Sequence, residues 1–187
     1  MSRIRNSRLT RIAALAASVI IIGVGAALAN DVFEMTATGT VRTAIVITEH
    51  QPLNFSEGGD LYQGVSKSVG TNEAGTGSFI ITAAEGDNIQ AQLLLPEYLW
   101  CSTAGVKQRV DIFFGPTDAA WDDTGEPDPE AAVGPTVVDP TNLPTMTVAA
   151  GQTTVNLFIG GTVYPSAYQK AGVYTGSIIL SAWYEGD

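Results

Sequence analysis

Apolar and polar positions alternate with a period of two through most of the chain after residue 30, which predicts strands rather than helices. From Met35 to Ile47 one face reads Met35, Ala37, Gly39, Val41, Thr43, Ile45, Ile47, and the other Thr36, Thr38, Thr40, Arg42, Ala44, Val46. This predicts a long first strand with its apolar weight toward the end. A short strand is expected at Leu53 to Phe55, closed by the turn Glu57-Gly58-Gly59-Asp60, and another near Val65 to Val69. Gly77 to Ala83 places Phe79, Ile81 and Ala83 on one face, and the turn Glu85-Gly86-Asp87-Asn88 leads into Ile89, Ala91, Leu93 and Leu95. Residues 96 to 109 are less regular, with Pro96 closing the strand before them. Val110 to Phe114, Thr145 to Val148 and Thr154 to Val163 resume the alternation, and a last strand sets Tyr174, Ile178, Leu180, Ala182 and Tyr184 on one face. Between them, residues 117–144 hold five prolines and a run of acids, and read as a long acidic surface loop. The sum is about eight or nine short strands with no helix after residue 30. That is the pattern of an all-β antiparallel sandwich, with a closed barrel as the other solution.

The first 29 residues follow a different rule. Arg3, Arg5, Arg8 and Arg11 precede an uncharged apolar run from Ile12 to Ala29 that exits through Ala27-Leu28-Ala29. A basic start, an apolar core and small residues at the exit predict an N-terminal signal helix at 1–29, either cleaved before Asn30 or retained as an anchor. Removing 29 of the 187 residues leaves 158, a single domain at 30–187 with enough chain for a full core. It also changes the charge. All 19 acids lie in that domain against five cations, Arg42, Lys67, Lys107, Arg109 and Lys170, so the formal value moves from -10 to about -14. With so few cations to displace counterions, nucleic acid is not an expected partner. Membrane insertion is not expected once the leader is gone. The expected address is secreted: periplasm, outer surface or extracellular space.

Candidate chemistry is thin. One Cys and one His rule out a Cys/His zinc site and a disulfide within the chain. His50 sits in a predicted turn, and Cys101 follows Leu99 and Trp100, an apolar setting that keeps a thiol protonated. No catalytic residue or cofactor is expected. Paired carboxylates in the proline-rich loop lack the burial that raises one pKa for glycoside hydrolysis. Asp122, Asp123, Glu126 and Asp128 are oxygen ligands suited at most to weak calcium binding, without the spaced pattern of a calcium loop. Tyr98, Trp100 and Trp121 are candidates for stacking on sugar rings.

Several segments carry a resemblance. Thr36-Ala37-Thr38-Gly39-Thr40-Val41, the triplet Leu53-Asn54-Phe55, and Ala171-Gly172-Val173-Tyr174-Thr175-Gly176-Ser177-Ile178 with its closing Trp183-Tyr184 resemble a Gram-negative secreted family catalogued only as a domain of unknown function. That family is similar to spore coat protein U and to pilins of the archaic chaperone-usher pathway. The resemblance spans most of residues 35 to 185 and implies an immunoglobulin-like, pilin-like sandwich with no catalytic residues. In the related pilins, an exposed sheet edge is filled by an extended strand from a neighbouring subunit, located directly after the signal peptide. Residues 35–47 occupy the matching place, with Val41, Ile45 and Ile47 as candidate exchanged side chains; the alternative is that they form the first strand of their own domain. Archaic pilins also carry a disulfide that Cys101 alone cannot supply. The expected function is an exported, non-enzymatic structural subunit of a cell-surface fibre or extracellular layer, self-associating or paired with other surface subunits. The other reading is a secreted glycan- or calcium-binding module.

Overall fold

The computed structural model describes residues 41–103 and 108–186. The chain divides into two compact units, Met1–Val41 and Arg42–Asp187, and all but one of the described residues belong to the second. The expected signal segment and the start of the expected first strand, residues 35 to 40, lie outside the described residues.

The second unit is all-β, with thirteen strands, every pairing antiparallel, and no helix among the described residues. In chain order they are β1 (Val46–Gln51), β2 (Lys67–Val69), β3 (Gly77–Thr82), β4 (Asn88–Leu94), β5 (Tyr98–Cys101), β6 (Arg109–Phe113), β7 (Ala119–Asp122), β8 (Thr136–Val138), β9 (Met146–Thr147), β10 (Thr154–Ile159), β11 (Gly161–Tyr164), β12 (Tyr174–Thr175) and β13 (Ile179–Tyr184). They form a first sheet ordered β1-β3-β10-β7-β8, a second ordered β12-β5-β6-β11-β2, and a third ordered β13-β4-β9.

Three long runs of alternation are each broken in two where the backbone passes from one sheet to the next. Pro96 separates β4 from β5, because it has no N–H for the ladder. Gly160 separates β10 from β11, and a side chain there would run into the Val69 carbonyl oxygen. Gly176 lies between β12 and β13, where a Cβ would stand 2.8 Å from Leu99 Cδ2. Since β4 pairs with β13 and β5 with β12, the second and third sheets follow one another along the same two bent strands.

The first and third sheets pack face to face in a sandwich-like arrangement. Ile81 and Val155 of the first sheet meet Ile89, Met146 and Tyr184 of the third, and Leu157 and Ile159 meet Leu93. Side chains as deeply buried as these each contribute about 1.5–3 kcal/mol of transfer free energy. The second sheet has a different cover. Its inner residues Val69, Leu99, Val110, Ile112 and Val163 pack on Phe55, Leu53 and Leu61, which come from the irregular chain after β1.

Four expectations are corrected. Leu53 to Phe55 is not a strand; its side chains fill the core from an irregular segment. The stretch 117–144 is not one surface loop, since it contains β7 and β8, and Ala119, Ala120 and Asp122 are buried. Alanines pack closely under neighbouring strands without giving a strong β signal, and most of the acids and three of the five prolines lie in the connection between the two strands. The irregular stretch 96 to 109 contains β5. Among the described residues the first strand begins at Val46, after residues 41–45 that carry no strand, and it continues through the polar Thr48-Glu49-His50 to Gln51.

Candidate functional site

Two sheet edges come near each other without pairing. Among the described residues β1 bonds only to β3, while β12 bonds only to β5 and β13 only to β4, so there β1 and the β12–β13 line each present an open edge. Between them lies a cavity of about 850 Å³. One rim is Glu49 and Gln51 of β1; the other is the chain from Val173 to Ile178; the floor is apolar and includes Leu53, Phe79, Leu99, Ile112 and Ile159. Gly176 and Gly77 let the backbone sit directly on that floor, with the positions of their missing Cβ atoms 2.8 Å from Leu99 Cδ2 and 3.0 Å from the Leu53 backbone nitrogen.

Amides hold the flanks. Gln51 Nε2 donates to the Thr76 carbonyl at 2.6 Å. Gln63 Nε2 donates to the Gln169 carbonyl, and the buried Gln169 Nε2 donates to the Tyr174 hydroxyl at 2.7 Å. Tyr174 in turn donates to the Lys170 carbonyl at 2.7 Å. Gln51, Gln63, Gln169 and Tyr174 thus line the cavity with uncharged polar groups that have partners in the chain.

The three strand-exchange candidates separate. Ile47 stands opposite Ile81 within its own first sheet, and Ile45 packs on the core between the first and third sheets. The chain just before β1 is also tied down: Arg42 Nε lies 3.6 Å from Asp87, its guanidinium is 5.2 Å from the Tyr184 ring centre, and Tyr184 donates to the Thr43 carbonyl at 2.7 Å. Val41, by contrast, is 96 % exposed.

The acidic candidates do not converge. Asp122 accepts from the Thr124 hydroxyl at 2.6 Å, Glu126 from the Asp128 amide at 3.1 Å, and Asp128 from the Glu130 amide at 3.0 Å. These carboxylates fix local turns, and among the described residues no group of three His, Cys, Asp or Glu side chains is placed to hold a metal ion. Further along, the Thr141 hydroxyl and amide hold the Asp139 carboxyl below the usual range, again a local turn bond. His50 is exposed on β1 of the first sheet, whereas Cys101, a free thiol, is half-buried on β5 of the second.

The aromatic candidates divide too. Trp121 faces inward from β7 onto Leu157, with its Nε1 buried and unpartnered. Tyr98 and Trp100 stand together on the outer face of β5, ring centres 6.4 Å apart and edge-to-face. Arg109, which the alternation of the next strand also turns outward, lies 3.7 Å from the Tyr98 ring centre. The chain matches no protein-family model, no curated protein and no solved structure.

Proposed function

We propose that the chain is an exported, non-enzymatic structural subunit of a cell-surface fibre or extracellular layer, built as an immunoglobulin-like, pilin-like sandwich and assembled by strand exchange. The observation that carries this reading is the groove: two strand edges, open among the described residues, flank an apolar floor that no described strand covers. An extended segment laid there gains backbone hydrogen bonds at the rims and inserts alternate side chains below. The segment of matching pattern precedes Arg42. In it Phe33, Met35, Ala37, Gly39 and Val41 alternate with polar positions, with large side chains first and small ones in the middle. Because residues 42 to 47 are engaged by their own domain, the donated stretch is narrowed to residues 31–41 of a second copy. The resemblance to archaic pilins supports the same arrangement.

Deleting residues 31–41 from the exported chain is expected to leave a folded monomer, and replacing Val173, 65 % exposed on the groove rim, by Arg is expected to block the groove of an otherwise intact chain. Sedimentation and electron microscopy of the wild type should show concentration-dependent oligomers or filaments that both variants lose. A wild-type protein that remains monomeric at high concentration, on cells free of filaments, overturns the reading.

A further inference from the structure

The outer face of the second sheet is far from ordinary surface. Alternation turns Tyr98 and Trp100 outward from β5, Arg109, Asp111 and Phe113 from β6, and Tyr164 from β11. Trp100 and Phe113 are each 57 % exposed and Tyr164 is 50 % exposed. Exposed rings gathered on one sheet face mark a binding surface more often than they occur by chance.

The register orders them. Asp111 stands opposite Tyr98 on one side and Tyr164 on the other, so the two tyrosines flank the carboxylate, roughly 10 Å apart at their backbones. In the adjacent rows Trp100 faces Arg109, and Phe113 faces Thr162, whose hydroxyl is bonded to Ser68 at 2.8 Å. Each ring therefore has a hydrogen-bonding group as its cross-strand neighbour. Arg109 is held by ring contact, 3.7 Å from the Tyr98 centre and 6.0 Å from that of Trp100. Among the described residues neither Arg109 nor Asp111 forms an ion pair, so a donor fork and a carboxylate both remain open to a ligand.

We propose that this face binds a neutral polysaccharide, independently of strand exchange. A pyranose ring has apolar C–H faces and a rim of hydroxyls, so a chain of them alternates the two chemistries that the sheet alternates. Trp100, Tyr164 and Phe113 take the C–H faces, Asp111 accepts from hydroxyls, and Arg109 donates to hydroxyl or ring oxygens. A protein partner fits less well, because the centre of the patch is a carboxylate that a dry interface core would bury without a counter-charge. Asp111 and the strongly acidic body disfavour a polyanion.

The test is a microarray of neutral and anionic glycans probed with the exported chain, followed by titration of the strongest ligand with tryptophan fluorescence as readout. Retention on a neutral glycan is expected. Trp100→Ala should weaken it by about tenfold, the size of one lost ring contact. Trp100→Ala with Tyr164→Ala should abolish it, Trp100→Phe should restore most of it, and Tyr168→Ala, removing a 90 % exposed ring from a loop, should leave it unchanged. Because all these positions are exposed, unchanged melting temperatures keep the comparison valid. Silence across the array, binding of anionic glycans alone, or a double variant that binds as well as wild type overturns the proposal. So does a double variant that loses self-association while glycan binding never occurs.

Discussion

The two halves of the sandwich bury similar apolar side chains under different roofs. Where the first sheet lies over the third, both layers are strands, and Ile81, Ile89, Met146, Val155 and Leu157 are all fully buried. Where the second sheet continues, its cover is an irregular segment carrying Leu53, Phe55 and Leu61, and the cavity opens beside it. A sheet satisfies its own backbone groups while covering a neighbour, so it makes a complete wall. An irregular segment contributes side chains but leaves strand edges unpaired next to it. The closed half thus walls its core completely, and the open half leaves strand edges beside a cavity.

Truncation tests this division most strongly. Leu157→Ala removes a fully buried side chain between two sheets, where the walls have little freedom to collapse; a loss of about 3–4 kcal/mol is expected. Leu99→Ala acts on the groove floor, where the side chain is already 9 % exposed and the cavity is open beside it, and should cost about 2 kcal/mol. Urea unfolding of both variants gives the comparison. Equal losses, or a larger one for Leu99, would mean that the two halves are equally well walled.

Legibility in sequence followed alternation rather than this division, for the evenly alternating β6 belongs to the open half. Ile89 to Leu95 alternates plainly because one face is core and the other is not, and Gly77 to Ala83 and Thr154 to Val163 keep enough alternation to be read although β10 is buried on both faces; each contains a strand. The strands missed have identifiable causes. β7 is an Ala-Ala-Trp-Asp stretch without β-branched residues, buried on both faces, so it shows no alternation. β5 is only four residues long and follows a proline. The groove left no local signal at all, since its walls come from residues near 50, 78 and 175, and an opening between distant segments has no period. The aromatic face was half legible: Tyr98 and Trp100 form an i, i+2 pair, but their partnership with Phe113 and Tyr164 depends on register, which is a property of three strands together.

A smaller effect probes how the chain just before β1 is held to the core. The Tyr184 hydroxyl accepts from the Ala84 amide at 2.9 Å and donates to the Thr43 carbonyl at 2.7 Å. Tyr184→Phe keeps the buried ring but leaves both backbone groups unpaired, so about 1–2 kcal/mol should be lost. Hydrogen exchange should show faster exchange at Ala84, while Ile81 in the same core stays protected. If protection falls evenly across the domain, the hydroxyl is not a local tether.

The smallest effect belongs to Arg42, and its size decides how that tether works. Its Nε lies 3.6 Å from Asp87 and its guanidinium 5.2 Å from the Tyr184 ring centre, with the Arg42 side chain about half exposed at 46 %. At such exposure the ion pair is screened and contributes about 0.5 kcal/mol at most, and the ring contact is of similar size. Arg42→Ala should therefore cost less than 1 kcal/mol at low salt. Adding salt should shrink the part due to Asp87 and leave the part due to the ring. A double-mutant cycle with Asp87→Asn separates the two, since the coupling it measures contains only the charge pair. Coupling well above 1 kcal/mol would mean that the charge pair holds residues 42 to 45 in place; weak coupling with a residual salt-independent loss would assign that role to the Tyr184 ring and its hydroxyl.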